Sequence, residues 1–76
     1  MNNQLSTTAS IRSVYPQLTS KEKQIADYVL KHDEVIYMSI TELVLVSKTG
    51  YGSIIRFCKN LGFTRFQDFK IHLARD

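Results

Sequence analysis

The sequence predicts an all-α fold, a small helical bundle, and three observations carry that expectation. Apolar residues recur at three- and four-residue spacing along most of the chain. At three points a Ser or Thr stands three places before a Glu or Gln, the pattern of a helix-opening capping box. The two short strand-like stretches, Leu43 to Val46 and Ile54 to Ile55, lack the clean polar alternation of a half-buried strand. At 76 residues the chain is one small domain or a piece of a larger protein. Domains of this size bury only about 60% of their unfolded surface, so a large catalytic cleft is not expected. Its apolar fraction of 43% suffices for one compact core.

Residues 1–7 are polar and aperiodic and read as a flexible tail. The first helix is short: Ile11, Val14 and Tyr15 share one face, and Pro16 cannot continue a helix without losing a hydrogen bond. Thr19 and Glu22 form the first capping box and open a helix to about Lys31, with Ile25, Ala26, Val29 and Leu30 inward. Lys31 and His32 suit its negative end. Asp33 is placed to cap a single turn through Glu34, Val35 and Ile36. Ser39 and Glu42 open the next helix, with Ile40, Leu43 and Val44 inward, and Thr64 and Gln67 open the last, with Phe66, Phe69 and Leu73 on one face.

Between those two lies KTGYGSIIRFCK. From Tyr51 onward Ile54, Phe57, Cys58 and Leu61 fall at i, i+3, i+4 and i+7, which leaves Gly52, Ser53, Arg56, Lys59 and Asn60 on the opposite side. Gly62 suits the left-handed residue that commonly ends a helix. A β-hairpin turning at Lys48 to Gly50 is the competing reading. A phosphate loop is not supported, because Gly50-x-Gly52-x-x-Ile55 lacks the third glycine and a preceding strand.

Charge and chemistry narrow the function. The net charge is +3, unevenly placed. Residues 1–47 hold Arg12, Lys21, Lys23 and Lys31 against five acidic side chains, whereas Lys48, Arg56, Lys59, Arg65, Lys70 and Arg75 face only Asp68 before Asp76. Such a half is either a solvated surface or a polyanion-binding face. One cysteine, Cys58, and two distant histidines, His32 and His72, give neither a disulfide nor zinc spacing. Cys58 falls on the inward face, and His72 with Asp68 is a solvated i, i+4 pair lacking a nucleophile; no catalytic residue, metal site or cofactor is expected. The aromatics Phe63, Phe66 and Phe69 have core spacing rather than that of a base-stacking platform. Nothing in the sequence indicates export or a membrane span, and the expected compartment is the cytoplasm.

A helix ending near Ser47, a connection at Lys48 to Gly50 and a helix from Tyr51 to Leu61 have the proportions of a helix-turn-helix unit, homeodomain-like in architecture. In such units the second helix enters the DNA major groove with its first turns nearest the base edges. Arg56, whose planar fork can meet guanine O6 and N7 together, is the first choice for base readout. Tyr51 and Ser53 can reach bases or phosphates, and Lys48, Thr49 and Lys59 the backbone; Gly52 and Asn60 complete the candidate DNA-binding set. The alternative is a small helical protein-interaction module without DNA binding, its partner groove lined by Ile36, Tyr37 and Met38.

The runs LTSKEKQIADYVLKH, MSITELV and IIRFCKNLGFTRFQDFKIHLA resemble the N-terminal domain of RpiR-type bacterial transcription regulators over residues 8–76. Arg56-Phe57-Cys58-Lys59-x-Leu61-Gly62-Phe63 is the most specific part. The resemblance implies a domain that binds duplex operator DNA, taken by analogy to act as a homodimer, with Ser53 and Arg56 among its DNA contacts. It also implies a sugar-isomerase-type domain beyond residue 76 that senses a phosphosugar. The last helix is barely finished at Asp76, which suggests a piece of a longer regulator. Departures from the family cluster in the turn: relatives usually carry Gly at Lys48, a small apolar residue at Thr49, a Ser cap at Gly50 and Ala at Gly52. A glycine at the Lys48 position points to a positive φ there. With Gly in place of Ala inside the helix costing about 0.5 to 1 kcal/mol, the first turn of the following helix is expected to fray in free protein and to order on DNA.

Overall fold

The structure is a computed structural model and describes residues 6–76. Its elements are five α-helices, α1 (Thr7–Val14), α2 (Ser20–Lys31), α3 (Ile40–Ser47), α4 (Tyr51–Asn60) and α5 (Phe66–Ala74), with 3₁₀ turns at Tyr15–Gln17 and Asp33–Tyr37. The hairpin reading is overturned, since Leu43 to Val46 and Ile54 to Ile55 both lie in helices. None of the helices is long and apolar enough to cross a membrane.

Most of the helix punctuation follows from local side-chain chemistry. In the boxes opening α2 and α3 both reciprocal bonds form: Glu22 N–H donates to Thr19 Oγ1 and Thr19 N–H to Glu22 Oε1, with the same exchange between Ser39 and Glu42. Each box satisfies two amides that a helix start otherwise leaves unpaired. Pro16 sits in the 3₁₀ turn that ends α1. Gly62 takes φ +90, as its place after α4 anticipated.

Three expectations fail locally. The third box does not form: α5 is preceded by Arg65, which makes no side-chain cap bond. Phe66 and Phe69 are buried all the same, so packing positions this helix without help from Thr64. Asp33 lies inside the 3₁₀ turn, whose N-cap residue is His32, and caps nothing. The tail read over residues 1–7 is shorter than expected at its inner end, where Ser6 caps α1 through the Ala9 N–H and Thr7 is buried; residues 1–5 lie outside the described residues.

One core joins all five helices. Ile11, Ile25, Leu43, Ile54, Phe57 and Phe69 are fully buried, and Val35 brings the second 3₁₀ turn into the same cluster. Phe69 is its aromatic hub, edge-on to Phe57 at 5.6 Å and to Phe63 at 6.0 Å between ring centroids, with Phe66 at 6.2 Å. Phe66 and Phe69 are buried and Phe63 is half-buried against Phe69, the packing that core spacing predicts. Of the residues expected to line a partner groove, Met38 packs against the core and Ile36 is half-buried, while Tyr37 stands 82% exposed.

Asp76 meets the first turn of α1. The Asp76 carboxylate accepts from the Thr7 N–H at 2.8 Å and the Thr8 N–H at 2.9 Å, two unpaired amides of the first turn. Partial burial pushes its pKa up, but the bonds from Thr7 and Thr8 outweigh that and hold it below the ordinary value.

Two outcomes follow. Phe69→Ala costs about 3 to 5 kcal/mol of stability, measured by urea unfolding, because a buried aromatic hub leaves a cavity. Since the Asp76 pKa is depressed on folding, its contribution is complete above 3.8 and is lost as pH falls through the lower folded value. The Thr7 and Thr8 amide shifts accordingly titrate with an inflection below 3.8, and Asp76→Asn abolishes that inflection.

Candidate nucleic-acid interface

The site is built on α3, the three-residue connection and α4. Leaving α3, the chain turns through Lys48 in the left-handed region, φ 58 and ψ 42. The Lys48 N–H bonds back to the Val44 C=O, and the Thr49 N–H reaches the same carbonyl at 3.2 Å. This closed turn satisfies the end of α3 in the manner of glycine-ended helices. It is the one non-glycine position with positive φ among the described residues, where a Cβ is unfavourable.

Two side chains absent from the sequence-derived set, Ser47 and Gln24, brace the turn. Ser47 is buried; its Oγ lies 2.6 Å from the Leu43 C=O and 2.8 Å from Thr49 Oγ1. Gln24 Nε2 on α2 donates to the Ser47 C=O at 3.2 Å. Thr49, expected to face phosphate, is half-buried with its hydroxyl engaged by Ser47, so it acts first as a brace.

Helix α4 then starts at Gly50, which offers no side-chain cap. Ile54, Phe57 and Cys58 are fully buried, as their spacing required. Burial pushes the Cys58 thiol up to about 12, which suits a core residue and not a nucleophile. Tyr51, Gly52, Arg56, Lys59 and Asn60 are exposed and Ser53 is half-buried, so the predicted face exists as a face. The Arg56 side chain is 71% exposed.

One member of that exposed face is tied to the helix behind it. Asn60 Nδ2 donates to Glu22 Oε1 at 3.2 Å, and Arg56 Nε lies 4.0 Å from Glu22 Oε2. Glu22 is therefore the acidic residue beneath the basic face. A signal for its burial is present in the sequence: Glu22, Ile25, Ala26 and Val29 fall at i, i+3, i+4 and i+7, the inward stripe of α2.

The basic half divides further. Lys70 Nζ donates to the Met38 C=O at 2.7 Å and lies 5.1 Å from the centre of the Phe66 ring, tying α5 to the chain before α3. Arg65 pairs with Asp68 at 3.5 Å. His72 does not meet the Asp68 carboxylate; its Nδ1 lies 3.0 Å from the Asp68 C=O. Lys48 and Lys59 form no ion pair among the described residues and, with Arg56, flank the exposed face of α4.

A three-residue turn with a left-handed residue, joining two helices whose second presents a polar, cationic face, defines a helix-turn-helix domain. The family model described as "Helix-turn-helix domain, rpiR family" matches residues 5–76, and the chain belongs to that family. It is 35% identical over 65 residues to an uncharacterized HTH-type transcriptional regulator of Haemophilus influenzae, covering 84% of this chain and 23% of that protein. Against the HTH-type transcriptional regulator YbbH of Bacillus subtilis it is 35% identical over 69 residues, covering 90% of this chain and 24% of that one. The crystal structure of the N-terminal domain of the Bacillus subtilis regulator ybbH superposes with a TM-score of 0.89 at 32% identity, covering 96% of this chain and 90% of that chain. The chain thus spans about a quarter of the length of these relatives.

The start of α4 is the least reinforced part of the site, since Gly50 supplies no cap and Gly52 no helix propensity. An added Cβ at Gly52 meets nothing within 4 Å. Gly52→Ala is therefore expected to stabilise the domain by about 0.5 to 1 kcal/mol. In hydrogen exchange, Tyr51 to Ser53 amides exchange fast in the free domain, and bound DNA slows them in the parent more than in Gly52→Ala.

Proposed function

We propose that the domain binds duplex operator DNA sequence-specifically as the recognition module of a bacterial transcription regulator. The observation that carries this reading is the exposed α4 face, in which Arg56 projects beyond a buried Ile54, Phe57 and Cys58 stripe directly after a braced helix-turn-helix turn. At ten residues α4 is about 15 Å long, and the roughly 10–12 Å diameter of an α-helix matches the roughly 12 Å wide major groove.

Within that reading Arg56 reads a guanine, and Tyr51 and Ser53, in the first turn, contact bases or phosphates. Lys48 and Lys59 meet the backbone and Gly52 allows its close approach, while Thr49 and Asn60 hold the surface from behind. The domain carries no chemistry of its own, in keeping with relatives named as transcriptional regulators. Resemblance to RpiR-type regulators supports a role in sugar or phosphosugar metabolism, with the effector sensed by a sugar-isomerase-type domain beyond residue 76. Their greater length leaves room for such a domain. The regulator acts in the cytoplasm, as a homodimer on paired half-sites, since operator symmetry mirrors protein symmetry.

Arg56→Ala is expected to weaken binding to the preferred duplex by about 1 to 3 kcal/mol and to relax preference at one base pair. Fluorescence anisotropy against a panel of single-base variants measures both. An equal loss on every duplex reassigns Arg56 to phosphate. Parent binding must also fall steeply with salt; salt-insensitive binding of a protein, with no DNA affinity, favours the interaction-module reading.

A further inference from the structure

We infer that Glu22 is a positioning residue for base readout, holding the Arg56 guanidinium so that its terminal edge faces the DNA; this rests on the DNA-binding reading above. The two capping boxes supply an internal comparison. In both, the glutamate Oε1 accepts from the N-cap amide, Thr19 at 3.0 Å and Ser39 at 2.8 Å. Glu42 is exposed and does nothing more among the described residues. Glu22, with its side chain 5% exposed, is sunk between α2 and α4. Its Oε1 also accepts from Asn60 Nδ2 at 3.2 Å, which fixes the carboxylate to α4, and its Oε2 faces Arg56 Nε at 4.0 Å.

Capping α2 needs neither this burial nor the second oxygen. A carboxylate on the Nε side of a guanidinium leaves the two terminal nitrogens pointing away, and these form the fork that meets guanine O6 and N7. In free protein the contact is weak, since Arg56 is largely solvated and the separation exceeds a hydrogen bond. Once DNA covers the site and excludes water, the same pair strengthens and restricts the arginine to the reading geometry. Glu22 also repels phosphate whenever Arg56 is not interposed, so it penalises complexes in which the arginine has swung aside.

Glu22→Gln separates these roles. The amide oxygen can still accept from Thr19 and Asn60, while its NH₂ faces the guanidinium with no charge. The test first selects a preferred duplex from a random pool with the parent chain, then measures Kd on all single-base variants. Parent, Glu22→Gln, Glu42→Gln, Arg56→Ala and the Glu22→Gln/Arg56→Ala double variant are compared. Discrimination at the base pair that Arg56→Ala relaxes falls about 5-fold or more in Glu22→Gln and is kept in Glu42→Gln. Discrimination at the other base pairs is unchanged. Binding to random duplex holds or rises, because a negative charge has been removed. The double variant binds at least as tightly as Arg56→Ala alone, since no negative charge is left behind the missing arginine.

Full discrimination at that base pair in Glu22→Gln overturns the inference, and so does an equal loss at every position, which marks a merely structural role. Thermal unfolding shows whether the variant is folded. If it is not, Nε–H exchange in the parent complex decides: slower exchange at Arg56 than at exposed Arg12 supports the inference, and equal rates overturn it. A parent chain that enriches no sequence overturns the DNA-binding reading first, and this inference with it.

Discussion

The packing of α4 against α2 is the interaction on which the rest of the molecule depends. A ten-residue helix is not stable alone in water, and α4 begins with an uncapped glycine and carries a second in its first turn. It exists because Ile54, Phe57 and Cys58 are fully buried with Ile25, Ala26 and Val29 of α2. That burial fixes the rotation of α4, and the rotation decides which residues face outward. The same contact brings Glu22 under Arg56 and Asn60, so core and surface are set by one interface.

The positive charge of the second half is divided by the fold into distinct jobs. Lys70 and Arg65 bind within the domain and Arg56 leans on a buried carboxylate, whereas Lys48 and Lys59 remain directed to solvent. Three of the six cations, Lys48, Arg56 and Lys59, thus frame α4, while Arg75 stands exposed at the end of α5. A frame of that kind suits orientation, because phosphate contacts position a protein while base contacts specify the site.

The turn joining α3 to α4 combines local strain with local bracing. Lys48 adopts a backbone conformation that favours glycine, yet Val44, Ser47, Thr49 and Gln24 surround it with hydrogen bonds. Strain of that kind persists where neighbouring structure over-determines it. Beyond it, Gly50 and Gly52 leave the start of α4 under-reinforced, so rigidity declines from the turn into the first turn of the helix.

The sequence by itself determined what depends on neighbours a few residues apart. Two capping boxes, Pro16 after α1, Gly62 after α4 and the apolar stripe of α4 were all legible, because helix ends and helix faces are set by local hydrogen bonding and by a fixed period. The family was legible from its motif around Arg56. The local rule failed at Thr64 and Asp33: Arg65 and His32 precede those elements without a side-chain cap, while Phe66, Phe69 and Val35 within them are buried. Tertiary structure alone decided the pairings between residues far apart in the chain: Asp76 on α1, Lys70 on Met38, Gln24 on the turn, and Glu22 beneath Arg56 and Asn60. A spacing rule can place a carboxylate on the inward face of a helix, but which cation it meets depends on how two helices rotate against each other, and that is fixed only when the core closes.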